Sequence, residues 1–145
     1  MLTTDQKGAI AESAIAHAAI KLGIDVYRPV AEGGRYDMIF DVGTDLVRVQ
    51  CKWAALHNDV ITVRCYSCRR TRDGQLRRGY TGDEIDAIAA YCRDLDRCFY
   101  FSVHWLSERT FIQLRLTPTR NNQRSRINWA DDFAFDATLG PLLGP

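Results

Sequence analysis

Asp37, Gln50 and Lys52 are the residues of this 145-residue chain whose types and spacing could do chemistry together, and Glu12 is a fourth. Gln50 and Lys52 are two apart, so on a β-strand both side chains leave the same face. Asp37 offers a carboxylate and Gln50 an amide oxygen. The backbone carbonyl of Cys51, between Gln50 and Lys52, can point inward as a further hard oxygen donor, and such a set suits Mg²⁺. A bound divalent ion polarises a phosphoryl oxygen and holds an activated water, while a nearby cation offsets charge that grows in the transition state. Lys52 can orient or deprotonate that water and supply the compensating charge. The chemistry to expect is metal-assisted hydrolysis of a phosphodiester. Glu12 sits in an Ala- and Ile-rich stretch, where a carboxylate needs a reason unless its face is wet. Any one of the four alone reads as an ordinary surface residue; the combination is harder to read that way.

The elements that must position them follow from local signals. Thr3 followed by Gln6 is a capping-box pattern, and a helix is predicted from Asp5 to Leu22, stopped by Gly23. Ile24 to Tyr27, before Pro29, reads as an edge strand. Tyr36–Val42 and Asp45–Trp53 are β-rich runs around Gly43-Thr44, which suits a two-residue turn with glycine at positive φ. If Val42 faces Asp45, counting back along both strands sets Asp37 opposite Gln50, with Cβ atoms about 5 Å apart. A third strand is expected over Val60–Arg70, turning at Asp73-Gly74 and returning through Gln75–Tyr80. Thr81-Gly82-Asp83 is then read as opening a helix to about Arg93. Cys98–Leu106 and Phe111–Leu116 are read as a hairpin around Ser107-Glu108-Arg109, and Ile127–Ala130 as a short helical turn. The expectation is one domain over residues 1–145, α/β in class, with a mixed β-sheet flanked by helices in the order α-β-β-β-β-β-α-β-β and a protruding basic hairpin.

A hydrophobic share of 46% and a charged share of 26% are those of an ordinary globular chain, without an apolar run long enough to span a bilayer. With no signal-peptide pattern at Met1–Asp5, a cytoplasmic location is expected. The net charge is only +1, yet six arginines stand between Arg64 and Arg78 against one carboxylate, Asp73. With Asp73-Gly74 as the turn, Arg70 would face Arg77 and Arg69 would face Arg78. Like charges directly opposite destabilise a hairpin unless a polyanion neutralises them, and a two-stranded ribbon fits a major groove. The candidate DNA contacts are therefore Arg64, Arg69, Arg70, Arg72, Arg77 and Arg78, joined by Arg120, Asn122, Gln123 and Arg124 in a polar tail; a solvated basic loop is the plain alternative. Five cysteines are an odd set. Cys65-Tyr-Ser-Cys68 with Cys92 and Cys98 could supply four zinc ligands, but only one pair has finger-like spacing, and buried or unpaired thiols are the preferred reading. His17, His57 and His104 are scattered, and no nucleophile motif or phosphate-binding glycine loop points to small-molecule catalysis.

Taken in order, Lys7-Gly8 with Glu12, Arg35-Tyr36-Asp37, Val49-Gln50-Cys51-Lys52-Trp53, Tyr80, Asp83-Glu84-Ile85-Asp86, Ala90-Tyr91, Asn122-Gln123 and Ile127–Ala130 resemble the PD-(D/E)XK nuclease superfamily. The likeness is to its branch of group I intron homing endonucleases with Gln-x-Lys in place of acid-x-Lys. Tyr36 stands where the superfamily name expects proline. Gln50 removes a negative charge from the site, which would make Glu12 more important as a ligand. The resemblance implies a restriction-endonuclease-like fold, Mg²⁺-dependent cleavage of double-stranded DNA by Asp37, Gln50, Lys52 and Glu12, and a homo-oligomer, dimer or tetramer. A Holliday-junction resolvase of the same superfamily is one rival, disfavoured by the long arginine ribbon. A non-catalytic DNA-binding module is another, disfavoured by the retained Lys52.

Overall fold

The computed structural model describes residues 1–107, 109–118 and 126–143. The chain opens with α1 (Thr4–Lys21), capped by Thr3: the Gln6 amide donates to Thr3 Oγ1 at 3.1 Å, and the Thr3 amide donates to Gln6 Oε1 at 2.9 Å. Two orphan amides are satisfied at once, as the capping pattern predicts. Gly23, at φ +88°, turns the chain out of the helix. Strand β1 (Asp25–Tyr27) pairs with β2 (Met38–Asp41), which pairs antiparallel with the start of the long β3 (Leu46–His57). The register is the one counted from the Gly43-Thr44 turn. Met38 faces Val49, Asp41 faces Leu46, and Gly43 takes φ +95°.

Strand β4 (Val60–Arg64) folds back on the end of β3. The expected single run to Arg70 breaks there, because β5 (Tyr66–Thr71) leaves the main sheet to form a separate two-stranded ribbon with β6 (Gly74–Gly79). Strand β7 (Ala87–Cys92) lies parallel to β3 and antiparallel to β8 (Arg97–Ser102). The short α2 (Val103–Leu106), β9 (Phe111–Arg115), a 3₁₀ turn (Ala130–Phe133), α3 (Phe135–Leu139) and a last 3₁₀ turn (Gly140–Leu143) complete the described chain. Seven strands make the main sheet, running β1-β2-β3-β4-β9, with β7 also beside β3 and β8 outside β7.

Three further sequence expectations are overturned. The helix read from Thr81 to Arg93 is a turn followed by β7, all six of whose residues are buried. Ala87 and Ala89 pack toward α1, while Ile88 and Ala90 pack into the opposite core. A strand covered on both faces reads as a continuous apolar run, which periodicity cannot distinguish from a buried helix. The hairpin read between Cys98–Leu106 and Phe111–Leu116 does not form: α2 intervenes, and β9 pairs with β4. At the ribbon tip, Arg72-Asp73 are the two loop residues and Thr71 pairs with Gly74. Positive φ falls on Gly74 alone, at +122°, so the glycine closes the turn instead of standing at its centre. Arg77 therefore faces Cys68, Arg78 faces Ser67, Arg69 faces Leu76 and Arg70 faces Gln75; no arginine faces another.

The sheet separates two cores. On one side Ala11, Ile15 and Ala19 of α1, with Phe135 and Leu139 of α3, cover Met38, Phe40 and Val49. On the other, Ile61, Phe99, Phe101, Ile112 and Leu114 pack together under Leu106 and Ala130. No helix among the described residues is long and apolar enough to cross a membrane. The four cysteines considered for zinc are not gathered. Cys65 and Cys92 lie in the second core, Cys98 packs against the first, and Cys68 is exposed on the ribbon.

Candidate active site

Asp37 stands one residue before β2, where the last ladder bond of that edge is made: its amide donates to the Val49 carbonyl at 2.8 Å. Beyond this point β2 has ended, and the Cys51 amide has no strand partner on that side. It donates instead to Asp37 Oδ2, at 2.8 Å. A strand residue's amide and carbonyl leave on the same edge, so the Cys51 carbonyl lies on the edge that Asp37 occupies. Gln50 lies one residue beyond the last β2–β3 pair, Met38 with Val49, and pairs on its other side with Ile88 of β7. Its Nε2 makes only a long contact, 3.5 Å, to the Cys51 carbonyl, too long to hold the amide firmly.

Glu12 reaches the same place from α1. Thr4, Gly8 and Glu12 recur every four residues along one side of the helix, and with Ala9 they wall a cleft of about 620 Å³. Its other walls are Arg28, Glu32, Tyr36 and Asp37. Small residues at positions 8 and 9 keep the cleft open; a Cβ on Gly8 would meet nothing within 4 Å. Burial pushes the Asp37 carboxyl above its ordinary range, against the Cys51 amide, Lys52 and Arg28, which pull it down. Glu12 is also raised, by burial and then by the Asp37 charge, with Arg28 opposing and Glu32 adding to the rise. Two partly buried carboxyls on one cleft, one of them raised by the other's charge, are a place where a cation relieves both desolvation and repulsion.

Lys52 turns toward the ribbon. Its ammonium donates to the Tyr66 carbonyl at 2.9 Å and sits 4.9 Å from the centre of the Tyr80 ring. Burial lowers its pKa, while Asp37 is the strongest influence in the other direction. Arg35 closes the group: its guanidinium lies 4.1 Å from the Tyr80 ring centre, Nη1 donates to Ser67 Oγ at 2.7 Å, and Nη2 donates to the Gly79 carbonyl. Its Nε is 2.9 Å from Glu84 Oε2, an ion pair without the alignment of a hydrogen bond. Arg78 pairs with the same Glu84 oxygen at 2.8 Å.

Glu12 and Asp37 thus share one cleft, the Cys51 amide binds Asp37 beside it, Gln50 neighbours Cys51 on β3, and Lys52 stands between Asp37 and the ribbon root. Among the described residues no three His, Cys, Asp or Glu side chains are grouped as a metal site. The donor set here is instead two carboxylates with an amide and a backbone carbonyl, all hard oxygens, and it fits a divalent ion of the Mg²⁺ type. Of the arginines expected to meet DNA, Arg64, Arg72, Arg77 and Arg78 are exposed. Arg69 and Arg70 are described in backbone only, and Arg120, Asn122, Gln123 and Arg124 lie outside the described residues. Sequence reasoning had assigned no role to Arg28, Arg35, Tyr80 or Glu84. Arg35 lies two residues before Asp37, but its partners are more than thirty residues away, and no local pattern carries that signal.

The chain matches the PD-(D/E)XK endonuclease family over residues 2–136 and belongs to it. Among solved structures it is similar to "a bacterial homing endonuclease: I-Ssp6803I", with a TM-score of 0.77 and 27% identity over 98% of this chain and 94% of that one. No curated protein matches it. The fold is restriction-endonuclease-like, and the protein is an endonuclease of this family.

Proposed function

We propose that the chain is one metal-dependent endonuclease domain that cuts double-stranded DNA at specific sites, as a homing-type enzyme. The observation that carries the reading is the convergence of Glu12 and Asp37 on one cleft with Lys52 beside Asp37, at the root of an exposed arginine ribbon. Glu12, Asp37, Gln50 and the Cys51 carbonyl would hold the ion, Mg²⁺ in our reading, which when bound supplies Lewis-acid polarisation of the scissile phosphate and a more acidic water. Asp37 is held for that role by the Cys51 amide. Lys52 places its ammonium near the phosphate oxygens, where it offsets developing charge and orients the water. The ribbon, with Arg69, Arg70, Arg72, Arg77 and Arg78, lies along the duplex, and Arg64 at the end of β4, with Arg120, Asn122, Gln123 and Arg124, extends the contact. The described residues of each chain carry a single such cluster, and cutting two antiparallel strands needs two of them related by a two-fold axis, so the working form is a homo-oligomer, dimer or tetramer. A cytoplasmic location fits this substrate and five unpaired cysteines.

The test is incubation with a plasmid library of random inserts and with a four-way junction, in Mg²⁺ and in EDTA. Cleavage of a subset of the plasmids, in Mg²⁺ only, is the expected result. Cleavage of the junction alone would replace this reading with a junction resolvase. Binding without cleavage of either would leave a DNA-binding module.

A further inference from the structure

We propose that Tyr80 and Arg35 are positioning residues for Lys52, forming a holder that ties its ammonium to the root of the β5–β6 ribbon. The inference rests on the nuclease reading and adds to it the means by which DNA engaged by the ribbon acts on the catalytic lysine.

A lysine side chain is a flexible stem with three donors and no geometric preference of its own, so something outside it must fix where the ammonium stands. Two contacts do so here, and both belong to the ribbon root. The Tyr66 carbonyl, at the first residue of β5, accepts from Nζ at 2.9 Å. The ring of Tyr80, the residue after β6, lies 4.9 Å from Nζ, within the range of a cation–π contact. Lys52 is thus gripped by the residues that begin and follow the ribbon. The ring in turn is held by the Arg35 guanidinium at 4.1 Å, and Arg35 staples both ribbon strands, donating to Ser67 Oγ on β5 and to the Gly79 carbonyl on β6. Glu84 anchors the assembly from the turn before β7, taking Arg35 at 2.9 Å and Arg78 of the ribbon at 2.8 Å. One residue on from Arg35 and Tyr36 is Asp37. A tilt of the ribbon on its root therefore moves the Tyr66 carbonyl and the Tyr80 ring, and with them the ammonium, relative to the carboxylate. A displacement of about 1 Å at a reacting centre can cost about a hundredfold in rate.

The experiment measures, for wild type and variants, the affinity for a duplex recovered as cut from the random-insert library and the single-turnover cleavage rate with that duplex and Mg²⁺ saturating. Tyr80→Phe keeps the ring and is expected to cut within about threefold of wild type. Tyr80→Leu and Tyr80→Met remove the ring, and Arg35→Gln removes the guanidinium that holds it. Each is expected to bind within about twofold but to cut more than about tenfold more slowly. Thermal melts identify any variant that fails to fold, and the remaining ring-free variant or Arg35→Gln then decides. Ring-free variants that cut at the wild-type rate would overturn the positioning role while leaving the nuclease reading intact. So would a Tyr80→Phe as slow as Tyr80→Leu, because the ring would then not be the operative part. A wild-type protein that cuts no DNA would overturn both.

Discussion

The amide of Cys51 donates to the Asp37 carboxylate across 2.8 Å, so the strand that presents Gln50 and Lys52 also holds the acid they work with. The relationship exists because β2 begins only at Met38 and leaves the next backbone donor of β3 without a strand partner. The carboxylate fills the place of the missing strand. Its position is therefore set by main chain, and side-chain changes at the site are expected to alter chemistry more than architecture.

The first consequence concerns stability without metal. Asp37 and Glu12 are both raised above their ordinary values of 3.8 and 4.5, chiefly by burial, so the folded chain holds these protons more tightly than the unfolded one. Stability from these groups is thus fully present below the ordinary carboxylate range and is lost as pH rises through the folded values. In EDTA at pH 7, Asp37→Asn and Glu12→Gln are expected to melt a few degrees above wild type, at roughly 2–4 °C per kcal/mol for a chain of this size. The gain is expected to shrink toward pH 4, while both variants cut poorly in Mg²⁺. Melts from pH 4 to pH 8 check this; a metal-free loss of stability that stays constant with pH would contradict it.

Gln50 contributes a neutral oxygen where a carboxylate would bind a cation more strongly. Gln50→Glu is expected to tighten Mg²⁺ binding by roughly tenfold, about 1.4 kcal/mol, measured by calorimetric titration in the absence of DNA. An unchanged affinity would place Gln50 away from the ion.

The ribbon's arginines are not equivalent. Arg78 is engaged by Glu84 at 2.8 Å, whereas Arg77 is exposed and lies 4.8 Å from the Tyr66 ring centre. Each phosphate contact on B-form DNA adds about 0.9 to the slope of log affinity against log salt. Arg77→Ala and Arg72→Ala are each expected to flatten that slope by about one unit, and Arg78→Ala by less. Equal slopes for all three variants and wild type would remove the ribbon from the DNA interface.

How far the site was legible depended on how far apart its parts lie. The Gly43-Thr44 turn is local, and strand periodicity carried its register as far as Met38 opposite Val49, where β2 begins; the Asp37 amide then also donates to the Val49 carbonyl, and its carboxylate accepts from the Cys51 amide. Glu12 stood out because a carboxylate interrupted an apolar helix. The ribbon was legible as a hairpin, but its register depended on which residue took positive φ, and Gly74 took it at the closing position. Positions 70 and 77 still share one face, and 69 and 78 the other, although their direct pairing is lost. Strand β7 was misread because double burial erases the alternation that marks a strand. The clasp that fixes its start was equally invisible. Arg48 donates to both Asp86 oxygens, at 3.0 and 3.1 Å, and to the Gly82 and Asp83 carbonyls, from well over thirty residues away.

In the proposed function Asp37 and Lys52 perform the cleavage and the ribbon performs the binding. The most direct measurement sets Asp37→Ala and Lys52→Ala beside wild type on a duplex that wild type cuts, with gel-shift affinity and product formation read from the same preparations. Both variants are expected to bind within a few-fold of wild type and to yield no product in Mg²⁺. Undiminished cleavage by either variant would contradict the assignment of the site.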